Sequence, residues 1–96
     1  MTDSLIELRA DIDAIDRDII ALLAKRFAVV HRVAVVKKRE GLPAVLPERI
    51  AVVKRQARAL AENAGLSPDF AESLYHLIIE EACRLEEEFL HDKLKG

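Results

Sequence analysis

Apolar positions recur along the first third of the chain at helical spacing. Leu5, Leu8, Ile12, Ile15, Ile19 and Leu22 alternate steps of three and four residues, the period of one helix face. The next slot is Arg26, and the row resumes at Val29, Val33 and Val36. A second row, Ile20, Leu23, Phe27, Val30 and Ala34, runs beside it and reaches Lys37 at its next slot. The pattern predicts one long helix over 5–39, with two cations set into a wide apolar face. Ser4 and Glu7 make the S-x-x-E capping box that starts such a helix. Gly41, behind Lys37, Lys38 and Arg39, marks its end.

Two shorter helices follow. Pro47 suits the first turn of the second, which ends at Gly65. Its expected inner stripe is Ile50, Val53, Ala57, Leu60 and Ala64. Ser67-Pro68-Asp69 opens the third with a cap, a first-turn Pro and an acid at the positive dipole end. That helix is expected to reach about residue 91. Its apolar rows include Phe70, Leu74, Leu77, Ile78, Leu85 and Phe89, and a parallel row of Tyr75, Ile79, Ala82, Glu86 and Leu90. Glu86 interrupts apolar company, as Arg26 does on the first helix. The apolar loop 42–46 needs cover and is expected against a ligand site or the core. The fold class is all-α: three helices in a single domain over 1–96.

The inset cations admit two readings. Lys and Arg usually snorkel to solvent at the edge of an apolar face, the commoner fate for either one alone. Alternatively they line a buried anion site. Arg26 and Lys37 are eleven residues apart, which returns to within roughly 20° of the same direction about 16 Å along the axis. Two long side chains so placed can converge on a small ligand. Arg9 precedes Arg26 by seventeen residues and points roughly 100° away. If all three bind one ligand, Arg9 comes from another chain.

Length also calls for a second chain. A straight helix over 5–39 spans about 52 Å, whereas a compact chain of this size has a radius of gyration near 12–13 Å. An apolar face that long implies self-association or another partner.

Composition narrows the function classes. The 96 residues are 51% hydrophobic and 33% charged, with three Gly and three Pro, which suits an all-helical protein and excludes disorder. The acidic start Met1-Thr2-Asp3-Ser4 is not that of a signal peptide, and no apolar run is long enough to span a membrane. Cys83 has no partner for an internal disulfide, so a buried, inert thiol in a reducing cytoplasm is expected. Residues 25–58 hold ten Lys or Arg against two acids, and the remainder holds five against fifteen. A basic middle can attract nucleic acid or a small anion, or face the acidic third helix. With no aromatic interleaving, the last two are preferred, and no nucleic acid partner is expected. His76 and Glu80, four apart, could hold a metal, but such a pair is commonly a surface ion pair. There is no Gly-rich phosphate loop.

Leu8-Arg9, Ile15-Asp16, Ala24-Lys25-Arg26, Lys37 and Ile78-Ile79-Glu80, in that register, resemble the all-helical chorismate mutases over nearly the whole chain. The resemblance implies an intertwined homodimer of three-helix chains with two equivalent sites. It implies that Arg26, with Arg9 of the other chain, holds two substrate carboxylates. Lys37 would bond the ether oxygen and one carboxylate, and Arg49 would lie near the ring carboxylate. Position 86, commonly Gln in the family and directed at the ether oxygen, is Glu here. Leu46 and Ile50 stand where many of these mutases carry acids, the one at position 50 contacting the ring hydroxyl. Ala82 joins this substrate-binding set.

The implied reaction is a one-step pericyclic rearrangement that needs no nucleophile, metal or cofactor. Glu86 can donate to the ether oxygen only when protonated; burial favours the neutral acid, and a nearby Lys37 favours the carboxylate. Pro47-Glu48-Arg49-Ile50 is similar to isochorismate pyruvate lyases, which share the fold. Cys83-Arg84-Leu85-Glu86 is similar to 4-amino-4-deoxychorismate mutases. The expected function is a mutase acting on chorismate or its 4-amino analogue. Isochorismate pyruvate lyase is the enzymatic alternative. The other is a non-enzymatic helical dimerisation module, which requires Arg26 and Lys37 to be solvated.

Overall fold

The computed structural model describes residues 4–91. Three α-helices account for its regular structure: α1 (Leu5–Glu40), α2 (Pro47–Asn63) and α3 (Pro68–Leu90). Among the described residues, no helix is long and apolar enough to cross a membrane.

The ends follow local chemistry. The Ser4 side chain accepts from the Glu7 N–H, and the Glu7 carboxylate accepts from the Ser4 N–H, closing the capping box. Gly41 takes φ 71°, the left-handed conformation that lets the Leu42 N–H fold back to the Lys37 carbonyl. Ser67 caps α3 through the Phe70 N–H, with Pro68 in the first turn. Leu46 caps α2 with no side-chain bond.

Packing is centred on α3, which lies against both α1 and α2, while those two share no direct backbone approach among the described residues. The seam is alanine-rich: Ala34 of α1, Ala57 and Ala61 of α2, and Ala71 and Ala82 of α3 are buried, together with Ile78 and Ile79 of α3. Two expectations fail here. Leu60, placed in the α2 inner stripe, is 66% exposed, and Ala64 is exposed too. Ala61 is the buried position of that turn instead. Phe70, Leu74 and Leu77 of α3 are likewise exposed.

The first half of α1 extends beyond the rest. Leu5, Leu8, Ile12, Ile15, Ile19 and Leu22 all remain exposed. The described chain measures 60 × 30 × 16 Å with a radius of gyration of 17.3 Å, well above the roughly 12–13 Å of a compact chain this long.

Candidate active site

Where α1 and α3 meet the start of α2, a cavity of about 500 Å³ opens. That is within the usual range for small-ligand sites. Each helix and the 42–46 loop contribute to its wall. From α1 come Arg26, Val29, Val30, Val33 and Lys37; the loop gives Ala44 and Leu46. Arg49, Ile50 and Val53 come from α2, and Ile79, Ala82, Cys83 and Glu86 from α3. Arg26 and Lys37 thus share one hollow, as their spacing on α1 allows.

Lys37 is the buried cation, only 8% exposed. Its ammonium donates to the Ala44 carbonyl at 2.8 Å and lies 2.6 Å from Glu86 Oε1. An ammonium has three donors, so one remains for a ligand. The bond to Ala44 ties the loop to α1 and explains why Ala44 is buried while its neighbours Leu42 and Val45 are exposed.

Glu86 is 6% exposed, whereas Glu87 and Glu88 are solvated. The Lys37 contact is an ion pair by distance, yet Oε1 has no aligned hydrogen-bond donor among the described residues. Arg26 is half-buried, its guanidinium 5.6 Å from the centre of the Tyr75 ring. That cation–π contact holds it against α3. Arg49 is exposed, in the first turn of α2. The site therefore sets three cations and one acid into aliphatic walls.

The family description "Chorismate mutase type II" matches residues 8–87. The chain belongs to that family. It is 36% identical over 85 residues to the 4-amino-4-deoxychorismate mutase of Streptomyces venezuelae, covering 88% of this chain and 82% of that protein. It is 38% identical over 87 residues to the T-protein of Haemophilus influenzae, covering 91% of this chain but only 23% of the relative. The chorismate mutase of Methanocaldococcus jannaschii is 28% identical over 92 residues, 96% of this chain and 93% of that protein. The type II mutases are isomerases.

Seven of the eight site residues expected from the sequence line this one cavity: Arg26, Lys37, Leu46, Arg49, Ile50, Ala82 and Glu86. Arg9 does not; it is exposed on the protruding half of α1. The dimerisation-module alternative needed Lys37 in solvent, and its burial contradicts that. The basic middle does face α3: Arg58 bonds Asp69 and Glu72, alongside the Lys37–Glu86 pair. His76 contacts Glu80 at 3.4 Å and Lys54 at 3.1 Å, in a surface cluster away from the cavity.

Cys83 needs correction. It is half-buried in the cavity wall rather than sequestered in the core. Burial first, then the Glu86 carboxylate, push its thiol above its ordinary value, with Lys37 opposing them. It is a protonated, weakly nucleophilic thiol at neutral pH. Its spacing to Glu86, three residues on one helix face, was the signal available in the sequence.

Proposed function

We propose that this protein is a chorismate mutase acting on chorismate or 4-amino-4-deoxychorismate, as a cytoplasmic homodimer. The observation that carries this reading is the gathering of Arg26, Lys37 and Arg49 around one small cavity whose walls, Glu86 and Cys83 apart, are otherwise aliphatic. A compact dicarboxylate with an apolar body matches that combination.

In the rearrangement the ether C–O bond breaks as a C–C bond forms between the enolpyruvyl methylene and the ring. No proton moves and no atom is lost. The protein's task is to hold the folded conformer and to stabilise charge at the ether oxygen. Arg26, and Arg9 of a second copy, clamp the carboxylates bidentately, which selects that conformer. Arg49 adds a cation at the cavity rim. Lys37 directs its remaining donor at the ether oxygen, where negative charge develops. A protonated Glu86 supplies a second donor to that atom; an ionised one opposes the charge. Leu46, Ile50 and Ala82 exclude water from the ring.

The test is product identification after incubation with chorismate, isochorismate and 4-amino-4-deoxychorismate. Prephenate, or its 4-amino analogue, is the expected product. Salicylate and pyruvate from isochorismate, with no rearrangement of the other two, would establish the lyase instead.

A further inference from the structure

The side chains around the cavity divide by chemistry. Arg26, Lys37, Arg49 and Glu86 are ionisable, Cys83 carries a weak thiol, and the others are aliphatic. On the mutase reading above, which this inference presupposes, two carboxylates and the ether oxygen engage the cations and Glu86. The ring then meets Leu46, Ile50, Val53, Ile79 and Ala82. Among the described residues of one chain, the Cys83 thiol is the single neutral hydrogen-bonding side chain in that wall. An S–H is a poor donor and a poor acceptor.

The backbone adds no discrimination. The Ala44 carbonyl is already bonded by Lys37. Leu46 caps α2 without a side-chain bond, so the first turn of α2 offers N–H donors. A hydroxyl oxygen and an uncharged amine nitrogen accept from such a donor alike.

This distribution has a consequence for selectivity. A site built to hydrogen-bond a substituent rejects an analogue lacking it by about 10⁴–10⁵-fold, whereas an aliphatic wall separates near-isosteres by only about 10². We propose that this site recognises its substrate through the carboxylates and the ether oxygen and leaves the ring C4 substituent unread. It therefore takes both the 4-hydroxy and the 4-amino members of the chorismate class.

The experiment compares kcat/KM for chorismate and 4-amino-4-deoxychorismate, each at the plateau of its own pH profile. The expected values lie within about 10²-fold of each other. A wider ratio overturns the proposal, because some group of this chain or of a second copy then reads C4. Turnover of one substrate alone is the extreme of that result and leaves the mutase reading intact. Turnover of neither removes the mutase reading itself. A second arm uses Cys83→Ala, for which the ratio is expected to change by less than about threefold, the scale of one weak hydrogen bond. A larger change makes the thiol the reader of C4 and overturns the proposal.

Discussion

The two halves of α1 carry the same apolar period and meet different fates. Over residues 26–40, α3 and the 42–46 loop bury Ala34 and Lys37, while Val29, Val33 and Val36 of the longer row stay exposed, and the inset polar groups meet in a cavity. Over residues 5–22, the row from Leu5 to Leu22 stands uncovered. Period alone therefore specifies that a face is to be covered, not what covers it. Charged residues inside the row carry the further information, because each must find a polar partner or a ligand to be buried at all.

Breaking the uncovered half should have the largest effect. Ile15→Lys places a charge in the middle of that face. Scattered surface substitutions change stability by about 0.5 kcal/mol or less. If a second copy covers the face, this one should instead yield monomers and abolish turnover. Asp18→Asn, on the charged outer face, should change neither. Light scattering and a chorismate assay decide; an active Ile15→Lys dimer would rule out this face as the interface.

Next come the arginines divided between the two halves. Arg9→Ala and Arg26→Ala should each lower turnover by about 10²–10³-fold, the range for removing one partner of a buried charge pair. Mixed dimers of the two should recover activity, because one of their two sites then lacks both substitutions. No recovery after verified subunit exchange would refute a shared site.

Within the covered half, Lys37→Ala should reduce kcat by about 10²–10³-fold, as expected for losing one oxyanion donor. Circular dichroism should still show a helical protein. Removing one partner of a buried pair is also destabilising, so Lys37→Ala/Glu86→Gln should melt higher than Lys37→Ala. Normal kcat with a raised KM would make Lys37 a binding residue only.

The smallest effect concerns Glu86 itself. A carboxyl can donate to the ether oxygen only when protonated, whereas an amide donates in any case. Glu86→Gln should therefore match or exceed the parent in kcat/KM for chorismate at neutral pH. A Glu86→Gln protein that folds normally and is slower than the parent would remove donation to the ether oxygen as the role of this position.

These contrasts also mark what was legible in the sequence. The caps at Ser4, Gly41 and Ser67 located the helix ends because each offers a specific local hydrogen bond or conformation. Arg26, Lys37 and Glu86 were conspicuous as charges in apolar rows. Arg49 was reached only through resemblance, since nothing in its spacing distinguishes it from an ordinary helix start; Leu46 and Ile50 read as apolar positions needing cover, and only resemblance made them substrate-binding. Val29, Val30, Val33, Val53 and Ile79 line the cavity, yet they share the period of core positions and read as core. The Ala44 carbonyl could not be read at all, because a backbone acceptor has no sequence signature. Leu60 was misplaced because hydropathy favours the larger side chain, whereas the seam selected its small neighbour Ala61.

The alanine-rich seam along α3 has a thermodynamic consequence. Among the described residues, no large side chain is almost wholly removed from water within one chain. The driving force for folding grows with apolar area withdrawn from solvent, and α1 leaves Leu5, Ile12, Ile15, Ile19 and Leu22 among its exposed apolar side chains. With a second copy as the cover, folding and association become one equilibrium, and the melting temperature rises with protein concentration. Dilution then acts as a denaturant. The same chain resists proteolysis when abundant and becomes a protease substrate when scarce.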